Sequence, residues 1–263
     1  MIDADTTFTR SFHRFAGIRH YVAEGGAGRP LIFLHGGLAD HRAALVHVGA
    51  AAGRIRVIAP DLRGSGRSVD AGPLDWDRLA DDAAALCDHL GLERAVIGGV
   101  SMGSGVALRV GLRHPSRVAG LLLVWPAFAG AARGPTPAQR AACAAIEAAG
   151  VRVRSEGIDA LRPLYEGLPA PLRARALAML ADFDAASVAA TCELLAMRTQ
   201  PFAREEELAA IDAPTAIVPG VDPTHPAEVA ALYARWIPGA RVLGGAPEGV
   251  ADEVVAFCAG ARW

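Results

Sequence analysis

RAVIGGVSMGSGVALRVGLRH, residues 94–114, decides how the rest of the chain is read. Residues 94–100 are an apolar, β-branched run that predicts a buried strand, and residues 102–114 predict a helix. At the join stands Gly99-Val100-Ser101-Met102-Gly103, a G-x-S-x-G pattern in the strand-turn-helix context that this pattern requires. The glycines let strand and helix pass closely at a strained turn. The turn presents the Ser101 hydroxyl at a helix N-terminus, where the Met102 N–H is placed to stabilise an oxyanion. Ser101 is therefore the candidate nucleophile. The bland alternative is a structural turn that has kept its shape without chemistry.

Strands and helices alternate on both sides of this stretch. Residues 11–25 predict a hairpin turning at Gly17. RPLIFLHGG (29–37) predicts a short strand ending in two glycines, followed by a helix from His41 to about Gly53. RIRVIAPD (54–61) and VAGLLLVWPA (118–127) predict further buried strands. WDRLADDAAALCDHLG (76–91) places Leu79, Ala83, Leu86 and Leu90 on one helical face, with Gly91 as C-cap. Strands apolar on both faces, alternating with helices, predict an α/β fold with a mostly parallel central sheet covered on two sides.

The alternation stops between residues 128 and 211, where helical runs follow one another. Thr136, Pro137 and Gln139 give the first of these an N-cap, an N1 proline and a capping-box partner, and Gly150 is read as its end. The sheet resumes at TAIVPG (215–220), then a helix (226–236), a last strand (240–245) and a last helix (247–258). The expected organisation is a core of residues 1–127 and 212–263 with a helical cap of residues 128–211, seated over the strand C-termini where α/β sites lie.

Composition excludes several classes. Of 263 residues, 52% are hydrophobic and 21% charged, which supplies an apolar core and argues against disorder. Net charge is -2 with no basic block, which argues against nucleic acid and an anionic membrane as partners. No apolar run reaches the roughly 20 residues of a membrane span. The polar, acidic start MIDADTTFTR does not read as a signal peptide. The four cysteines are scattered, with no CxxC, so neither a zinc site nor a disulfide scaffold is expected; a cytoplasmic location fits. No cofactor or metal is expected, and a homodimer is compatible with the sequence.

LIFLHGG, VIAPDLRGSGRS, GGVSMG, RHPSRVAGLLLV and AIVPGVDPTHP occur in the order found in the α/β-hydrolase superfamily, and from about residue 12 to 260 the chain resembles its single-domain members with a helical cap. The resemblance implies that Ser101 is the nucleophile and that the amides of Gly37 and Met102 form the oxyanion hole, with Leu38 a nearby alternative to Gly37. It implies a structural role for His35 and for the turn containing Gly64 and Gly66. The catalytic acid falls on Asp222, with the family's D-x-x-x-P spacing to Pro226. One residue fewer than usual separates Gly220 from that acid, and Pro223 biases Asp222 away from the α region.

In such a family the base follows the last strand as Gly-His. Here the corresponding stretch is GARVLGGAPEGVADEVVAFCAG (239–260), without histidine, and its nearest ionisable residue is Glu248. A carboxylate is a weak base toward serine. Of the eight histidines, His13 and His20 are expected at the periphery, His89 and His114 at helix C-termini, and His41 and His47 after the oxyanion loop, with His41 near the pocket mouth. His225, three residues beyond Asp222 at the correct end of the sheet, is the provisional base; a bland loop contact is its alternative reading.

The expectation is a cofactor-independent serine hydrolase of a small ester, lactone or thioester, with an atypical or impaired base. Two alternatives stand beside it: a cyclase or lyase on the same scaffold, and a non-catalytic protein that binds a small apolar organic ligand. Trp125, Phe128, Tyr165, Met179, Phe183, Leu194, Leu195 and Met197 fit an apolar pocket, and equally fit packing between cap and core.

Overall fold

The computed structural model describes residues 7–196, 198–244 and 251–263. The hairpin β1 (Thr9–Phe15) and β2 (Ile18–Gly25) turns through Ala16 and Gly17, both at positive φ. The remaining strands are β3 (Pro30–Leu34), β4 (Arg56–Pro60), β5 (Ala95–Val100), β6 (Val118–Val124), β7 (Thr215–Val218) and β8 (Arg241–Val242). They form one sheet in the order β1-β2-β4-β3-β5-β6-β7-β8, antiparallel through β1, β2 and β4 and parallel from β4 onward.

Every residue of β3, β5, β6 and β7 is buried. Alternation divides their side chains between two apolar layers. Ile32, Leu34, Ile97, Leu121 and Leu123 pack on one face with α2 (Trp76–His89), α3 (Met102–Arg113) and α7 (Ala227–Trp236). Leu31, Phe33, Val96 and Leu122 pack on the other with α1 (His41–Val48) and α8 (Ala251–Gly260). The order in which the parallel strands are added reverses at β3, with β4 on one side and β5 on the other. The C-terminal ends of β3 and β5 therefore flank the crevice that such reversals create.

Between β6 and β7 stands the helical cap insertion: α4 (Pro137–Glu156), α5 (Ala170–Met179) and α6 (Ala185–Leu195), joined by 3-10 turns. The Thr136 capping box is present. Gly150 does not end α4. The helix runs on to Glu156, and Gly157 at φ 83° ends it. Gly150 instead lies where α4 crosses α6, since a Cβ there would overlap the Cβ of Cys192. The helix after β3 is also shorter than expected, with a 3-10 turn over Gly49–Gly53. The stretch 245–250, with Glu248 and the expected start of the last helix, lies outside the described residues, as does Met197.

Candidate active site

Ser101 stands between β5 and α3 at φ 54° and ψ -115°, a backbone conformation that L-residues rarely adopt. The turn is held by the Ser101 N–H donating to Val124 O at 3.0 Å, and by Ser104 Oγ donating to Ser101 O at 2.7 Å. The glycines of the pattern are required by close approach. A Cβ on Gly99 would overlap the Gly103 backbone, and a Cβ on Gly103 would overlap Leu34 O. Strain at a residue held by such tight surroundings is a feature of functional turns.

As the first residue of α3, Met102 has an N–H with no intrahelical carbonyl to bond. The loop after β3 abuts Ser101, whose Cβ is 3.5 Å from where a Gly36 Cβ would stand. Gly37 faces Leu195 of α6. Leu38 follows at φ 54°, and its carbonyl accepts a hydrogen bond of 2.9 Å from the cap residue Tyr165. The loop is fixed from behind by His35, which is fully buried. His35 Nε2 accepts from Leu62 N at 3.0 Å, so the ring proton is on Nδ1, which lies 2.7 Å from Gly36 O.

His225 supplies an imidazole beside Ser101. Its Nε2 lies 2.8 Å from Ser101 Oγ, and its Nδ1 lies 2.9 Å from Asp222 Oδ2. A carboxylate only accepts, so the Nδ1 proton faces Asp222 and Nε2 is left to accept from the serine hydroxyl. Three further donors converge on Asp222 Oδ1: Thr224 N at 2.8 Å, Thr224 Oγ1 at 2.5 Å and His225 N at 3.0 Å. Burial pushes the Asp222 carboxyl up, but the hydrogen bonds from Thr224 and His225 outweigh it and bring its pKa down to about 2.

The segment Gly220–Pro226 is thus a tight turn closed by an antiparallel bridge between Asp222 and His225. Gly220 is part of that geometry, because a Cβ there would overlap the His225 carbonyl oxygen and Cβ. Trp125, at the end of β6, is held at φ 49°, and its ring centroid is 5.9 Å from that of His225.

Comparison with known proteins bears on this arrangement. A family model described as the alpha/beta hydrolase fold matches residues 29–139. An esterase of Thermogutta terrifontis superposes with a TM-score of 0.74 at 26% identity, covering 94% of this chain and 96% of that one. Est816, titled as an N-acyl homoserine lactone degrading enzyme, superposes at 0.70 and 26% identity, covering 95% and 99%.

The chain is an α/β-hydrolase-fold protein.

A 2-hydroxymuconate semialdehyde hydrolase of Pseudomonas sp. (strain CF600) is 39% identical over 117 residues, 41% of this chain and 40% of that one. The chain spans between 31% and 40% of the length of the first curated relatives it matches.

In this α/β-hydrolase-fold protein His47 lines the cleft beside Gly37, its ring centroid 5.7 Å from that of Trp125, and the remaining histidines are engaged elsewhere. His41 is buried and hydrogen-bonds Asp61 through its backbone N–H and its Nδ1, at 2.8 and 2.7 Å, rather than reaching a pocket mouth. His20 is not peripheral: it is 2% exposed and stacks on Phe15 at 4.0 Å. His13 and His89 hydrogen-bond each other, and His114 pairs with Asp81. Among the described residues, Asp40, His41 and Asp61 form the one group whose ligand atoms converge closely enough for a metal. All three already hydrogen-bond to protein groups. Asp61 accepts from His41 and from Arg67 N, and Asp40 accepts from Arg42. This donor set is a hydrogen-bond network behind the oxyanion loop.

A cleft of about 370 Å³ opens beside Gly37 and Trp125, between α1 and the cap. Ala43, Val46, Tyr165, Leu172 and Met179 give it a mainly apolar wall. The expected pocket residues divide accordingly. Trp125, Tyr165 and Met179 line the cleft, while Phe128, Phe183 and Leu194 are buried in the core. Among the described residues no helix is long and apolar enough to cross a membrane.

Proposed function

We propose that the protein is a cofactor-independent serine hydrolase acting on a small ester, lactone or thioester, with Ser101 as nucleophile, His225 as general base and Asp222 as the acid that orients it. One observation carries this reading: His225 bridges Ser101 Oγ at 2.8 Å and Asp222 Oδ2 at 2.9 Å. Both are hydrogen-bond distances suited to proton transfer.

The steps follow from that geometry. Ser101 Oγ attacks the substrate carbonyl carbon while its proton passes to His225 Nε2. The amides of Gly37 and Met102 hold the oxyanion that develops on the carbonyl oxygen. Collapse of the tetrahedral adduct expels the leaving oxygen or sulfur, which takes the proton from His225 Nε2. Water then attacks the acyl-serine by the same route in reverse and frees the acid. Asp222 stays ionised throughout and stabilises the imidazolium. The apolar cleft beside Gly37 suits a small substrate with a hydrocarbon body, and burial of that body supplies the binding energy.

The test is turnover of p-nitrophenyl acetate and a simple γ-lactone by the wild type and by Ser101→Ala. Turnover in the wild type that falls by about 10⁶ in kcat on S101A supports the reading. Equal turnover by the two proteins refutes it.

A further inference from the structure

Gln139 is the third residue of α4, in the cap, and is 1% exposed. Each polar atom of its amide is used. Its Oε1 accepts from Thr136 N at 2.9 Å, and Thr136 Oγ1 accepts from Gln139 N at 3.3 Å, which completes the capping box. Its Nε2 donates in two further directions, to Ala127 O at 2.7 Å and to Thr224 O at 2.9 Å. The opposite amide orientation would set an oxygen against two carbonyl oxygens, so these partners fix which atom is which.

Thr224 lies between Asp222 and His225 in the turn that carries acid and base. The peptide group joining Thr224 to His225 is gripped at both ends. Its carbonyl oxygen accepts from Gln139, and its N–H donates to Asp222 Oδ1 at 3.0 Å and to Asp222 O at 3.0 Å. Rotation of that peptide plane would carry the His225 Cβ, and with it Nε2, away from Ser101.

We propose that Gln139 is a positioning residue that couples the docked cap to the alignment of His225. Capping needs only an acceptor at this position, which Glu or Gln supplies equally. The two donated bonds are additional to capping and join the cap to the segment after β6 and to the base turn at once. The base of this site thus depends on a cap side chain for its orientation. This rests on His225 acting as the base.

The test compares kcat, KM and Tm for the wild type, Q139E, Q139M and T191V on p-nitrophenyl acetate. Q139E keeps the acceptor for Thr136 N and lacks both donors. Q139M is unbranched, of similar reach, and adapts to a buried site. Thr191→Val removes a different buried cap–core bond, Thr191 Oγ1 to Gly64 O at 3.0 Å, which does not touch the base turn. Both Gln139 variants are expected to lower kcat by about 10- to 100-fold with KM within about twofold of wild type. T191V is expected to lower Tm and leave kcat unchanged. A wild-type kcat in folded Q139E or Q139M overturns this inference alone. An equal loss of kcat in T191V also overturns it, because the effect would then be general loosening of the cap. A wild type without turnover overturns the base assignment as well.

Discussion

The His225 Nε2 lies 2.8 Å from Ser101 Oγ across 124 positions of sequence, while its other ring nitrogen meets an acid only three residues away. Asp222 and His225 thus share one turn after β7. The short reach is feasible because the turn is tight: Asp222 accepts from the His225 backbone and from its ring. The His225 side chain is then left pointing at Ser101.

Asp222→Asn should separate orientation from general folding. The amide can present its NH₂ to Nδ1, which favours the wrong tautomer of His225 and leaves Nε2 protonated. A fall of about 10⁴ in kcat is expected, with the far-ultraviolet circular dichroism unchanged. Ester turnover kept within about tenfold would mean that Asp222 does not orient the base.

Gly220→Ala tests the tightness of the turn. The added methyl would collide with the His225 backbone and Cβ, so the turn must shift. Displacement of a base by about 1 Å costs on the order of 100-fold in rate, and that loss is expected in kcat. Activity equal to wild type would indicate that the turn moves without consequence for His225.

Much of this was legible beforehand in particular residues. Gly99 and Gly103 mark the strained turn around Ser101, because close backbone approach leaves room for glycine alone at those two positions. Continuous apolar strands announce a sheet covered on both faces. The resemblance to the α/β-hydrolase superfamily points to Asp222, and His225, three residues beyond it, is weighed against a bland loop contact; one residue fewer than usual between Gly220 and Asp222 suggests a tighter turn. Other features had no local signal. Gly150 resembles a helix end in isolation, and its role depends on Cys192, which lies on a different helix. Gln139 announces a capping box, but its bonds to Ala127 and Thr224 depend on how the cap docks. His20 looks peripheral in a hairpin until the packing of Phe15 is known.

His20 also makes stability sensitive to acid. Burial is the largest influence on its ring and, against Asp82 and Asp61 nearby, lowers its pKa from 6.5 to about 4; its Nε2 has no hydrogen-bond partner. Between about pH 4 and pH 6.5 the unfolded chain therefore binds this proton and the folded one does not. The contribution is present above pH 6.5 and is lost as pH falls toward 4, on the order of 3 kcal/mol in all. His20→Phe keeps the stack on Phe15 and removes the proton site. Urea unfolding of the variant at pH 7 and pH 5 should show a smaller stability difference than wild type. An identical difference would place the acid sensitivity elsewhere.

The most direct test of the assembled site is covalent labelling of the serine by a fluorophosphonate, followed by intact-protein mass spectrometry at neutral pH. Rapid single labelling of the wild type is expected, none of S101A, and labelling of His225→Ala slowed by at least about 10³-fold, because the hydroxyl then has no base. H225A labelling at the wild-type rate would contradict the assignment of His225 as the base of Ser101.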